Sequence, residues 1–200
     1  MEIVRTTAKA ALPIVVVIAL LACTSTAKRA PSDVDPKISQ SSYIEEGNLL
    51  ALIVGTRVAR YREDRNYIPF EVGVVNKGLA SLSFSAESFT LIDEEGNRYS
   101  PVGFDELKSG YGNIDLDRRL AEIAPVVRGS YQAYQERPAT LTASFDRPIV
   151  QRVQLPKYTF AVDIVYFPKP ATGVKGKRFE IFLNAPELQD PAFVRFEVAG

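Results

Sequence analysis

The chain has no histidine and no tryptophan, a single cysteine, Cys23, and a single methionine, Met1. Without histidine there is no Ser-His-Asp triad, no Cys-His dyad and no imidazole metal ligand. One cysteine permits no internal disulfide and no thiolate cluster. Neither charge is in excess, since 24 Lys and Arg balance 24 Asp and Glu, and a nucleic-acid binder usually shows a positive surplus. These absences lead to the expectation of a protein that is not an enzyme, holds no cofactor or metal and binds no nucleic acid. What is present suffices for a core: of 200 residues 46% are hydrophobic and 24% charged, which suits one ordinary domain.

The apolar residues are unevenly placed. Arg5 and Lys9 precede an uncharged run from Ala10 to Ala22 that includes Ile14 to Ile18 and Leu20-Leu21. As a helix the run spans roughly 20 Å, short of the roughly 30 Å of a bilayer's hydrocarbon. Pro13 lies within it. This is the shape of a secretory signal.

Its end, Leu20-Leu21-Ala22-Cys23, resembles the lipobox of bacterial lipoproteins. The resemblance implies that residues 1–22 are removed, that the Cys23 thiol carries a diacylglycerol, and that the new amino group carries a further acyl chain such as palmitate. Acylation also accounts for an unpaired thiol in an oxidising compartment. Two or three chains hold a protein stably where one does so marginally. Loss of residues 1–22 leaves 22 positive and 23 negative side chains, so charge adds little to membrane residence. Thr24 follows the cysteine, where Asp retains enterobacterial lipoproteins in the inner membrane. The resemblance therefore favours the outer membrane where one exists.

Residues 24–42 are rich in Ser, Thr, Pro and charge. The composition predicts a disordered tether over 23–42, with a reach of about 25 Å, and a domain over 43–200. Ser25-Thr26-Ala27-Lys28 matches the S-x-x-K of β-lactamases, but the S-D-N and K-T-G elements are absent.

Beyond Tyr43 the dominant period is two. Ile68, Phe70, Val72 and Val74 alternate with Pro69, Glu71 and Gly73; Leu82 with Phe84, Leu141 with Ala143 and Phe145, Tyr158 through Tyr166, Phe179 through Leu183 and Val194 through Val198 repeat the pattern. Such alternation predicts sheets with one buried and one wet face. With Leu49–Tyr61, Phe89–Asp93 and Arg98–Val102 there are about nine strand segments. Asn76-Lys77-Gly78 and Asp93–Asn97 read as hairpin turns, and Pro168–Gly176 as a longer loop. Asn113 is placed to cap one short helix through Leu116, Leu120 and Ile123, ended by Pro125. Residues 126–138 receive no assignment. Many short strands separated by turns predict an all-β fold, an antiparallel β-sandwich with one short helix.

Within Ile68–Pro101, Asn76, Gly78, Phe89, Leu91, Asp93, Gly96 and Tyr99 follow a pattern of an alternating strand, Asn-x-Gly, then Phe-x-Leu-x-Asp-x-x-Gly-x-x-Tyr. This is similar to the immunoglobulin-like, telokin-like domains of bacterial lipoproteins. The resemblance implies an immunoglobulin-like sandwich and an extracytoplasmic setting, and no catalytic residue.

Several clusters offer chemistry on paper. Asp93, Glu94 and Glu95 with Asn97 supply oxygens, but not the spacing of a calcium loop, and read better as a charged hairpin tip. Asp105, Glu106, Asp115 and Asp117 could pair as hydrolytic carboxylates; the last two also suit the first turn of a helix. Lys169, Lys175, Lys177 and Arg178 form the most basic stretch, too short for a P-loop. Tyr131, Tyr134 and Phe167 could form an aromatic surface, though packing is the commoner use. The expected function is a membrane-anchored binding or scaffolding module of the cell envelope, lipid-attached at Cys23, with an envelope protein or glycan as partner. The alternatives are a carboxylate-based glycan hydrolase and a small-ligand carrier.

Overall fold

The computed structural model describes residues 34–142 and 149–200, which belong to one unit of the chain. The leader, Cys23 and the first part of the expected tether lie outside the described residues. In chain order the strands are β1 (Lys37–Ser39), β2 (Ser42–Glu46), β3 (Leu50–Gly55), β4 (Tyr67–Asn76), β5 (Ser81–Phe84), β6 (Phe89–Asp93), β7 (Arg98–Tyr99), β8 (Gln135–Glu136), β9 (Val153–Pro156), β10 (Thr159–Pro168), β11 (Arg178–Leu183) and β12 (Ala192–Glu197). The helices are short: α1 (Arg57–Arg60), α2 (Phe104–Gly110), α3 (Ile114–Leu120) and α4 (Ile123–Ser130). The fold is mostly β, as the period-two pattern predicts.

The first sheet runs β1-β2-β3-β4-β10-β8, the second β12-β11-β6-β7, and β5 pairs with β9. Pairing is antiparallel except between β8 and β10. The two ten-residue strands β4 and β10 pair along their whole length, from Tyr67 opposite Pro168 to Asn76 opposite Thr159. One face of this sheet meets the second sheet. Leu52, Val54, Ile68, Phe70, Val72, Val74, Val165 and Phe167 pack there against Phe89, Leu91, Phe179, Ile181, Val194 and Phe196. Phe70 sits at the centre, with its ring 5.0 Å from Phe196 and 6.0 Å from Phe179.

The other face is not wet. Helix α4 lays Ile123, Val127 and Tyr131 on Ala51, Ile53, Val75 and Phe160. Around α2 and α3, Leu107, Tyr111 and Ile114 pack on Ile164 and Tyr166. Pro69, Glu71 and Gly73 are therefore buried, against the expectation of a solvent face. Gly73 makes the approach of α4 feasible, because a Cβ there would stand 3.1 Å from Val127 Cγ2.

Other departures have local causes. The folded unit starts before Tyr43: β1 pairs with β2, and the Asp35 amide donates to the Arg195 carbonyl at 2.9 Å. Residues 34–42 thus form part of the domain rather than of a tether. The strand expected over Leu49–Tyr61 ends at Gly55. There the Thr56 amide bonds to the Ser41 carbonyl and the chain curls into α1, burying Val58 and Ala59. The single helix expected from Asn113 to Pro125 is two. It breaks at Ala121, which is extended, and Pro125 falls in the first turn of α4, where no intrahelical amide is needed. Ile114 and Asp117 are the buried residues of α3, while Leu116 is exposed. Asn76-Lys77-Gly78 does not close a hairpin, because β4 and β5 lie in different sheets. The strand expected from Leu141 onward is absent at Leu141 and Thr142; its remainder, 143–148, lies outside the described residues.

Candidate functional site

The acidic hairpin tip forms a closed hydrogen-bond set. Asp93 Oδ1 accepts the amides of Glu95 and Asn97, and Oδ2 accepts Asn97 Nδ2 at 2.9 Å and the Tyr99 hydroxyl at 2.8 Å. Desolvation works upward on this carboxyl, but the donors outweigh it and hold it below the usual range. Desolvation and the bond to Asp93 push Tyr99 up to about 12. The pattern residues Phe89, Leu91, Asp93 and Tyr99 thus belong to one turn, with Phe89 and Leu91 in the core. Glu94 pairs with Lys177. Among the described residues no group of three or more Cys, Asp or Glu is placed to hold a metal.

The other acids separate. Asp105 and Asp115 are exposed, and Glu106 accepts the Tyr67 hydroxyl at 2.7 Å. Asp117 is buried, accepting Arg62 Nε at 2.6 Å and the hydroxyls of Tyr111 at 2.6 Å and Tyr166 at 3.3 Å. Desolvation raises its pKa against the pull of these donors. This cluster pins α3 to the loop after α1 and to β10. Two more buried carboxylates carry no sequence motif. Glu71 Oε2 accepts the amides of Glu122 and Ile123 at 2.7 and 2.6 Å, capping α4 in place of an N-cap side chain. Burial lifts Glu71 to about 7. Asp163 receives the Leu141 amide and faces Arg118 at 3.3 Å, and desolvation raises it too.

Several clefts open on the surface of the described residues, among them one of about 480 Å³ lined by Glu87, Pro101, Phe104, Leu141 and Gln151, and one at either end of the first sheet. At one end of the first sheet a cleft of about 360 Å³ is lined by Lys37, Tyr43, Arg57, Arg60, Tyr61 and Glu122, among others. Glu122 takes hydrogen bonds from the Arg57 guanidinium and the Ser41 hydroxyl. At the opposite end a cleft of about 370 Å³ opens between the sheets, lined mainly by Leu49, Leu50, Leu188, Pro191, Ala192 and Phe193. Glu71, Asp117 and Asp163 line none of these clefts.

This apolar end continues across the sheet. Leu50, Asn76 and Thr159 stand side by side on β3, β4 and β10. Just beyond them the amides of Lys77 and Gly78 donate to the Leu49 carbonyl, and the Tyr158 amide donates to the Asn76 carbonyl. Leu49 is 52% exposed and Tyr158 53%, matched by Tyr61 at 52% at the opposite end of the sheet. Tyr158 has φ +61°, alone among the described non-glycine residues in that region. A left-handed L-residue costs about 1–2 kcal/mol. The cost is met by two bonds, since the Tyr158 carbonyl also accepts the Gln135 amide at 3.1 Å. Its ring stands edge-on to Tyr134 at 5.6 Å, and Tyr134 edge-on to Tyr131 at 5.4 Å. Lys157 Nζ lies 4.8 Å from the Tyr158 centroid.

The expected aromatic surface is therefore half present. Tyr131 and Tyr134 come together, but with Tyr158; Phe167 is in the core. The basic stretch disperses: Lys169 Nζ bonds the Glu63 carbonyl, Lys177 takes Glu94, and the amides of Val174 and Lys175 close on the Glu63 carboxylate.

No protein-family model and no curated protein matches the chain. Among solved structures, yjhA of Bacillus subtilis is similar at TM-score 0.42 and 11% identity, over 78% of this chain and 95% of its own. A candidate lipoprotein of Bacillus subtilis, ycdA, is similar at TM-score 0.40 and 11% identity, over 77% of this chain. The match spans 38% of the length of ycdA.

Proposed function

We propose that the protein is a lipoprotein of the bacterial cell envelope, acylated at Cys23, whose immunoglobulin-like β-sandwich serves as a binding or scaffolding module. The observation that carries this reading is Leu20-Leu21-Ala22-Cys23 at the end of a basic and then apolar leader, with Cys23 the sole cysteine of the chain. Two packed, largely antiparallel sheets support the immunoglobulin-like part. Thr24 favours the outer membrane where the cell has one.

The reading assigns no catalytic residue. A carboxylate hydrolase needs two carboxyl groups facing each other across an accessible cleft, and Glu71, Asp117 and Asp163 are each engaged inside the domain. The partner is an envelope protein or glycan. Metabolic labelling with a fatty acid is expected to mark the wild-type chain and to leave Cys23→Ser unmarked. A labelled Cys23→Ser protein overturns the assignment.

A further inference from the structure

We propose that the cleft between β1, α1 and the start of α4 binds a carboxylate-bearing glycan, with Lys37 and Arg60 receiving the carboxylate and the Tyr61 ring carrying a sugar face. This deepens the binding-module reading above and rests on it, but not on acylation at Cys23.

The first argument is the unequal use of charge in this cleft. Arg57 and Arg60 stand three positions apart on α1, so both side chains leave the same side of that turn. Lys37 reaches the same cleft from β1. Glu122 neutralises Arg57 and also takes the Ser41 hydroxyl. No such partner serves the other two cations among the described residues. The Arg60 guanidinium has no ion pair or hydrogen bond there, and Lys37 Nζ lies 5.1 Å from the centroid of the Tyr43 ring. Two uncompensated cations sharing a cleft make a seat for an anion, and the arginine fork matches a carboxylate in shape as well as charge.

The second argument is what surrounds that seat. Glu122 and Glu197 line the same cleft, so a dense charge such as phosphate is disfavoured, whereas a sugar hydroxyl can donate to either carboxylate. Tyr61, half exposed, adds a flat apolar ring with a polar tip. Cations, acceptors and an open ring together suit a sugar acid. The volume of about 360 Å³ falls within the range of small-ligand clefts, roughly 300–1,000 Å³. A peptide strand is a poorer match: β1, the edge of this sheet, has three residues and its pairing with β2 shifts register between Lys37 and Ser39. The walls are also fixed in advance. The amide and hydroxyl of Thr56 both donate to the Ser41 carbonyl, at 2.8 and 3.0 Å, and the Tyr43 hydroxyl donates to the Glu197 carbonyl at 3.0 Å. Glu71 holds the Glu122 amide from beneath, and Gly55 lets β3 pass over that acid, since a Cβ there would stand 3.0 Å from Glu71 Cβ. Supporting residues that are already tied lose little freedom on binding.

The test is titration calorimetry of the full-length chain in neutral detergent with a galacturonate tetrasaccharide and a hyaluronan tetrasaccharide. At least one is expected to bind, and its methyl ester to bind about tenfold or more weakly, because the charge is gone and the sugar remains. Arg60→Ala and Lys37→Ala are expected to weaken the acid by a similar factor and to leave the ester unchanged. Tyr61→Ala is expected to weaken both. Lys157→Ala, which removes a cation at the opposite end, should bind as the wild type does. All four side chains are exposed, and urea unfolding of each variant shows that the fold is kept. Failure of both acids to bind, binding that survives Arg60→Ala and Tyr61→Ala, or equal affinity for triglutamate or inorganic phosphate overturns the proposal. Each of these results leaves the lipoprotein reading standing, which fatty-acid labelling of Cys23 decides separately.

Discussion

Alternate residues of β4 face two different interiors. Ile68, Phe70, Val72 and Val74 look toward the second sheet and meet aliphatic and phenyl groups. Glu71, Gly73 and Val75 look toward the helices, where buried carboxylates, tyrosine hydroxyls and an arginine share the space with aliphatic side chains. The first interface is held by apolar area and interlocking rings. The second is held in part by directed bonds, and each buried acid there is costly unless its donors stay in place. One consequence is that the helix layer should respond to pH through Glu71 and Asp117, while the sheet-to-sheet core should do so only through Asp163, which stands opposite Val72 at its margin with Leu141 and Arg118.

The contrast can be broken first on its apolar side. Phe70→Ala removes the ring at the meeting point of Phe167, Phe179 and Phe196. The expected loss is about 3–5 kcal/mol in urea unfolding, with the shape of the stability–pH profile unchanged. A profile that changes shape on this substitution would show that the two interfaces are not separable.

On the polar side, Asp117→Asn keeps the size of the side chain and removes its charge. Arg62, 6% exposed, then faces an amide instead of a carboxylate. The loss is expected to be about 1.5–3 kcal/mol, the range for hydrogen bonds to charged groups. Replacing the whole pair, Asp117→Leu with Arg62→Met, should return much of it, since the desolvation of both charges disappears together. A double variant no more stable than Asp117→Asn contradicts that expectation.

The two faces also differed in how well the sequence announced them. The alternation of Ile68 to Val74 and of Tyr158 to Tyr166 located the two longest strands, and Phe89 to Tyr99 located a real hairpin. The same alternation misassigned Glu71, because period two separates faces without saying what covers the second one. Gly73 and Pro69 beside Glu71 were the available signal: a solvent face has no need of a residue without a Cβ, whereas an approaching α4 does. Pro125 misled in the opposite sense, since a proline reads as a stop and is equally at home in a first turn. Of the apolar end, Leu49 and Tyr158 were legible only as strand residues. Their exposure depends on turns that close through Asn76 and Gln135, and such pairings are long-range.

The smallest effect sharpens the comparison most. Glu71 has an ordinary carboxyl pKa of 4.5 when the chain is unfolded and about 7 when folded, with desolvation the leading cause. Between these values the folded state holds a proton that the unfolded state has released, so stability from this group is complete below pH 4.5 and falls as pH rises through 7. The full swing has an upper bound of roughly 3 kcal/mol. Protonation is accommodated on Oε1, which has no hydrogen-bond partner, while Oε2 goes on accepting the amides of Glu122 and Ile123. Glu71→Gln copies this neutral form, keeping an acceptor for α4 but placing an amide N–H where no acceptor waits. The net gain at pH 8 is therefore expected to be about 1 kcal/mol. Denaturant midpoints followed from pH 5 to pH 8 should fall for the wild type and change less for Glu71→Gln, so that the two curves cross, with Glu71→Gln the less stable at pH 5 and the more stable at pH 8. Parallel curves would mean that the acid is ionised throughout and that the helix layer is no more sensitive to pH than the sheet-to-sheet core.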